Sequence, residues 1–261
     1  MAMRLGCCAY SYRDALRQGR MSLEDFVRTC AEMGLDGVEL TAYFFPSTDR
    51  STLQEVKKFC FSLGMHISGT AVGNNFALAD PDQRRAQVEM TKEWIEHSVV
   101  LGSPCLRVFA GPVPQGHTEE EAFQWVVACL REVVDYAAER GVVVALENHG
   151  GITSTAEQVL RLVEAVKGPW FGLNLDFGNF RGDPYPQFEQ VAPHVVTTHA
   201  KTHYRGPEGQ PMEVDYRRAL SILKRAGYRG YISIEYEHTE PAEEAVPRFV
   251  RYLREVLQEL A

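Results

Sequence analysis

Four stretches of the second half of the chain decide how it is read: residues 142–150, VVVALENHG; 171–179, FGLNLDFGN; 195–203, VVTTHAKTH; and 231–238, YISIEYEH. Each is a β-rich apolar run whose last residues turn polar. Each delivers one potential metal ligand at that turn: Glu147, Asp176, His199 and Glu235. Three carboxylates and an imidazole make a hard, oxygen-rich donor set. It suits Mn²⁺ or Mg²⁺ first, with Co²⁺, Fe²⁺ and Zn²⁺ as further options. A single carboxylate at a strand end carries little weight. Ligands recurring at the C-terminal ends of successive strands carry much more, because a β/α barrel builds its active site on that face.

Outward from these stretches, one unit recurs: helix, Gly, short strand, polar loop. Helix starts and stops are marked. Ser22 opens SLEDFVRTCAEM and Gly34 ends it. Asp80-Pro81 opens a helix that Gly102 closes, and Thr118 with Glu121 forms a capping box before a helix closed by Gly141. Thr155, Tyr216 and Glu240-Pro241 open three more, while the Pro-rich RGDPYPQFEQVAP leaves room only for a brief helix. The strands between them read LGCCAYS, GVELTAY, HISGTAV, CLRVFAG, VVVALEN, FGLNLDF, VVTTHAK and YISIEYE. Apolar runs without alternation indicate strands buried on both faces, and alternating β and α elements imply a parallel sheet. Eight repeats predict closure into a TIM-type (β/α)8 barrel, one domain over residues 1–261.

Composition narrows the function. The chain has 261 residues, 45% hydrophobic and 24% charged, with a formal net charge of −8. An acidic surface opposes nucleic-acid binding, which requires a basic stripe. The six cysteines form no CxxC pair and fall in apolar settings, so they read as buried thiols of a reducing compartment. The start MAMRLGCCAYSY lacks the pattern of a signal peptide, and no apolar stretch is long enough to span a bilayer. The expectation is a cytoplasmic protein without membrane partners.

Several other residues are pocket candidates from their positions. His149 lies two residues after Glu147, so on an extended chain it faces the same way, and an imidazole suits proton abstraction near neutral pH. Lys201 and His203 follow His199 with the same period. Tyr10, Tyr12, Tyr43, Asn74, Asn75, Arg107 and Phe109 sit at the ends of the first four strands. A polyol needs hydrogen-bond donors and an aromatic platform for its C–H faces. Arg107, inside LRVFAG, demands a partner. His66, before a strand, reads as a structural histidine of the opposite face.

With its strand ends aligned, the whole chain resembles the xylose isomerase-like TIM barrels. These are sugar isomerases and epimerases, inosose dehydratases and hydroxypyruvate isomerases, with endonuclease IV as a remote member. The resemblance implies that Glu147, Asp176, His199 and Glu235 hold the metal and that Glu147 and Glu235 double as acid and base. It implies a substrate-contacting Arg205 and matches Lys201 to an H-x-K pattern. One departure stands out: relatives often read D-x-x-H where this chain has Asp176-Phe177-Gly178-Asn179. Asn179 hydrogen-bonds substrate but does not titrate, which argues against a plain ketose 3-epimerase.

The function expected is a divalent-metal-dependent sugar isomerase or epimerase that removes a proton α to a carbonyl through an enediolate. The alternative is a lyase on the same scaffold, an inosose dehydratase or a 3-keto-glycoside eliminase. A non-catalytic sugar-binding subunit ranks behind both, and a nuclease is opposed by the charge and by too few histidines. The partner is a small sugar or keto-sugar. A homo-oligomer, with Leu253 and Leu257 of the last helix at its interface, is weighed against packing of that helix on the barrel.

Overall fold

The apolar runs become the staves of a closed parallel barrel in the computed structural model, which describes residues 3–260. In chain order the strands are β1 (Arg4–Cys8), β2 (Gly37–Thr41), β3 (His66–Ala71), β4 (Cys105–Val108), β5 (Val143–Glu147), β6 (Phe171–Asp176), β7 (Val195–Ala200), β8 (His203–Arg205), β9 (Pro211–Glu213) and β10 (Tyr231–Ile234). Eight of them, β1 to β7 and β10, run round the barrel in order, and β10 pairs with β1 to close it. The predicted (β/α)8 architecture is the one observed. Register sets the level of the polar ends: Glu147 pairs with Asn174, and Asp176 with His199.

Each barrel strand ends one to three residues before its apolar run does. Cys8 is followed by a 3-10 turn at Ala9–Tyr12, and Glu235 lies just beyond β10. The hairpin of β8 and β9, antiparallel with Arg205 opposite Pro211, has no counterpart in the sequence reading. Its strands are three residues long and flanked by Gly206, Pro207 and Gly209, too short for an alternating pattern to register.

Nine α-helices surround the barrel among the described residues: α1 (Arg13–Arg17), α2 (Leu23–Glu32), α3 (Arg50–Ser62), α4 (Pro81–Leu101), α5 (Glu119–Ala138), α6 (Ala156–Val166), α7 (Pro184–Val191), α8 (Tyr216–Arg225) and α9 (Ala242–Glu259). Their starts are where the caps predict. Ser22 with Asp25, Thr118 with Glu121 and Thr155 with Gln158 form reciprocal capping boxes. The Asp80 carboxylate accepts from the amides of Asp82 and Gln83 ahead of Pro81, and Gly102 closes α4 at φ 76°, a left-handed position that favours glycine. The helix after the Pro-rich segment, α7, is brief as expected, at 8 residues.

The inner faces of these helices form the core with the outward side chains of the strands. Leu253 is fully buried in that core and Leu257 packs against it, so α9 spends these residues on the barrel rather than on an interface. Burying one such leucine contributes about 1.5–3 kcal/mol. All six cysteines are buried and free. No described helix is long and apolar enough to cross a membrane. At the N-terminal end of the barrel, the His66 ring bonds the Tyr231 hydroxyl (2.7 Å) and a guanidinium nitrogen of Arg4 (3.1 Å), the structural role expected of it.

Candidate active site

At the C-terminal end of the barrel, Glu147 closes β5, Asp176 closes β6, His199 is the penultimate residue of β7, and Glu235 follows β10. Local bonds fix where each points. Asn148 receives the amide of Asp176 (2.7 Å) and donates to its carbonyl (2.9 Å), locking the chain at that residue. Ser11 clasps both sides of Glu235, donating to the Ile234 carbonyl and accepting from the Tyr236 amide, each at 2.9 Å. One donor atom from each of Glu147, Asp176, His199 and Glu235 lies within 4.8 Å of the others, and all four side chains are buried.

Every buried charged side chain among the described residues belongs to this cluster: Glu39, Glu147, Asp176 and Glu235 against Arg107 and Lys201, with His199 in the middle. Four carboxylates against two cations leave an excess of two negative charges when the imidazole is neutral. Nε of Arg107 stands 3.1 Å from Glu147 as an ion pair, out of line for a hydrogen bond. Lys201 Nζ reaches Asp176 (3.2 Å), Glu235 (3.4 Å) and, more closely, Glu237. Two of the four prospective ligand atoms, Asp176 Oδ2 and His199 Nδ1, are buried without a hydrogen bond. Such orphans are costly in a protein interior unless something else satisfies them.

Titration follows from this crowding. Burial pushes the Asp176 carboxyl up to about 7, with Lys201 offsetting only part of the effect. Burial acts in the same direction on Glu147 and Glu235. There His199 with Arg107, and His199 with Lys201, outweigh it, so Glu147 is held low and Glu235 well below the usual carboxylate range. Burial opposes a charge on His199, but Glu235, Glu39 and Glu147 overcome it and raise its pKa well above the ordinary value. A cation entering the cluster therefore competes with that proton.

The donor set fits a divalent ion. Carboxylates outnumber the two cations, oxygen predominates, and Asp176 Oδ2 and His199 Nδ1 make no hydrogen bond, the first standing 3.2 Å from Lys201 Nζ and the second 3.2 and 3.3 Å from Glu147 and Glu235. His199 is also prepared on its far side. Its Nε2 lies 2.8 Å from Oε1 of Glu39 in β2, a hydrogen bond that would leave Nδ1 with its lone pair turned to the cluster.

Above the cluster lies a cleft of 270 Å³, bounded by Tyr10, Tyr43 and Phe109 as aromatic walls, by Arg17 and Arg107, and by Glu147, His149, Glu235 and Glu237. A larger cleft of 810 Å³ adjoins it, sharing His149 and Glu237, and includes Asn179, Lys201, His203 and Arg205 in its lining. Most of the expected pocket residues are thus brought to one mouth. His149 leans its ring on Phe109 at 4.3 Å. Asn179 donates to Oε1 of Glu147 at 3.3 Å, so it braces a prospective ligand. Lys201 is occupied by its three carboxylates, and His203 stacks on His238 at 4.2 Å.

Asn75 is the exception and corrects the sequence reading. Its Oδ1 accepts the amide of Ala77 (2.9 Å), turning the chain after β3, and it lines neither cleft. Asn74 likewise serves a loop, bonding both backbone groups of Phe109. Tyr12 is buried in the core. The sequence reading missed Glu39, Glu237 and Cys8. Cys8 Sγ stands 3.7 Å from Glu235, and Cys8, His199 and Glu235 also offer donor atoms within 4.8 Å of one another. The signal for Glu39 was present: a lone carboxylate between apolar residues in GVELT, on a strand buried along its whole length, needs a buried partner.

Known proteins share this chain's features along most of its length. An uncharacterized protein of Methanocaldococcus jannaschii is 24% identical over 262 residues, spanning 92% of this chain and 88% of its own. The 2-oxo-tetronate isomerase of Pectobacterium atrosepticum is 24% identical over 230 residues, 81% of this chain and 85% of that protein. The crystal structure of a 3-keto-D-glucoside 4-epimerase from E. coli superposes with a TM-score of 0.78 at 17% identity. It covers 97% of this chain and 99% of that one, a likeness of fold. Residues 27–256 match the family model described as Xylose isomerase-like TIM barrel, and with the closed barrel above, this chain belongs to that family.

Proposed function

We propose that the chain is a divalent-metal-dependent isomerase or epimerase of a keto-sugar or related polyol, acting by removal of the proton α to a carbonyl. The observation that carries this reading is the convergence of four buried strand-end donors in a cluster whose four carboxylates outnumber its two cations, Arg107 and Lys201. Glu147, Asp176, His199 and Glu235 hold the ion, with Mn²⁺ or Mg²⁺ preferred by the oxygen-rich donors. When bound, the ion supplies Lewis acidity that stabilises negative charge on an enediolate oxygen. The isomerase named among the relatives supports the reaction class.

The residues of the chain do the positioning and the proton handling. Tyr10, Tyr43 and Phe109 offer flat faces to the C–H sides of a polyol. Arg107, anchored by donation to the Val72 carbonyl (2.8 Å), fixes Glu147 from behind. Glu147 and Glu235 both border the smaller cleft, where one carboxylate takes the α-proton and the other returns it. His149, in the same wall and without a carboxylate partner among the described residues, is the competing base. That unencumbered imidazole is also the feature that favours the second reading. A lyase requires a group free to protonate a departing substituent, and both glutamates are tied into the cluster.

The test is NMR of the Mg²⁺-loaded chain in D₂O with ketoses, inososes and 3-keto-glycosides. Deuterium beside the carbonyl with a new stereoisomer is the expected result. Exchange accompanied by an unsaturated product or a released aglycone would replace isomerase by lyase. Absence of exchange across the panel, with metal bound, would overturn both.

A further inference from the structure

Four of the six buried thiols, those of Cys7, Cys30, Cys60 and Cys129, lie in the apolar core. Cys8, the last residue of β1, is as deeply buried but belongs to neither apolar cluster. Its Sγ has polar neighbours, Thr41 Oγ1 at 3.6 Å and Glu235 Oε1 at 3.7 Å. Alternation along the strand sends the two adjacent side chains to opposite faces. Cys7 takes the side of the core and Cys8 the side of the buried charges.

In the barrel β1 runs between β10 and β2. Cys8 is therefore flanked by the two elements whose carboxylates grip His199. Glu235, just beyond β10, stands 3.3 Å from Nδ1. Glu39 of β2, in register with Cys8, stands 2.8 Å from Nε2. One donor atom from each of Cys8, His199 and Glu235 lies within 4.8 Å of the others, and Cys8 is the one cysteine that joins such a set among the described residues. Independently of the thiol, the buried Nδ1 of His199 makes no hydrogen bond.

This set shares His199 and Glu235 with the set completed by Glu147 and Asp176, and the two differ in hardness. Glu147 and Asp176 add carboxylate oxygens, which suit Mn²⁺ and Mg²⁺. Cys8 adds a sulfur, a donor that favours Zn²⁺ over both.

We propose that Cys8 is a metal-selecting ligand: with His199 and Glu235 it forms a sulfur-bearing set that holds a thiophilic ion such as Zn²⁺. On binding, the S–H bond breaks, the proton leaves to solvent, and the sulfur donates its electron pair to the ion. The inference rests on the reading of the cluster as a metal centre and gives that centre a second, softer occupant. A thiol that only donates weakly to Glu235 would not discriminate between Zn²⁺ and Mn²⁺.

X-ray absorption at the zinc edge of the Zn²⁺-loaded chain reads the ligands directly. The expected shell holds one sulfur at about 2.3 Å beside nitrogen and oxygen at about 2.0–2.2 Å. Cys8→Ser should lose the sulfur, with Zn²⁺ affinity down at least about 10-fold and Mn²⁺ affinity unchanged within about threefold. Cys8→Ala, which offers no donor, should change the selectivity in the same way, and circular dichroism checks that both variants fold. If neither folds, the wild-type spectrum decides alone. A wild-type shell of nitrogen and oxygen only, a sulfur that persists in Cys8→Ser, or equal losses of Zn²⁺ and Mn²⁺ affinity overturns the role of Cys8 and leaves the metal centre standing. A wild-type chain that binds neither ion overturns both.

Discussion

The two halves of the barrel contribute different things to one site. The half built of β5, β6, β7 and β10 brings the prospective ligands, each at a strand end. The half built of β1 to β4 brings none of those four, but supplies Cys8, Glu39 and Arg107, which touch the ligands from inside the strands. One half presents charge to the mouth. The other holds that charge in place and partly balances it. The site is therefore a property of the closed barrel, because Glu39 meets His199 only across its interior, 160 residues away in sequence.

This division can be broken from either side. The largest effect is expected on the ligand-bearing half. His149→Ala should keep the metal and, if His149 is the base in place of the glutamates, lose about 10²–10⁴-fold in turnover, the usual contribution of a general base. Retained turnover would leave the base role with Glu147 and Glu235. On the supporting half, Arg107→Met should destabilise the metal-free chain by about 3–5 kcal/mol, since it strands the buried Glu147 carboxylate. Chemical denaturation measures this, and a loss below about 1 kcal/mol, the scale of an ordinary hydrogen bond, would mean that Arg107 does not balance the cluster. The smallest effect is expected at Glu39→Gln, which retains an acceptor for His199 but removes the charge. Mn²⁺ affinity should fall about 10–100-fold, as when a partner behind a ligand is altered. An unchanged affinity would mean that Glu39 does not prepare the imidazole.

The same division explains what the sequence made legible. Glu147, Asp176, His199 and Glu235 stand where an apolar run turns polar, so their spacing alone marks them. Glu39 lies in mid-strand, and its partner is set by barrel closure, which no local pattern encodes. Asn75 is the converse case: a polar residue near a strand end, absorbed by the turn after β3 instead of facing the cleft. The hairpin that carries Arg205 was hidden because three-residue strands have no period to read. The fold and the candidate ligands follow from patterns within one element, while the supporting contacts and the shape of the mouth depend on which elements meet.

The most direct measurement is the metal content of the chain after equilibrium dialysis against Mn²⁺, beside that of Glu147→Gln/Asp176→Asn. The account predicts one ion per wild-type chain and none in the variant, with the circular dichroism of a folded barrel in both. A wild-type chain without metal, or a variant that binds it equally well, would contradict the assignment of these residues as the metal centre.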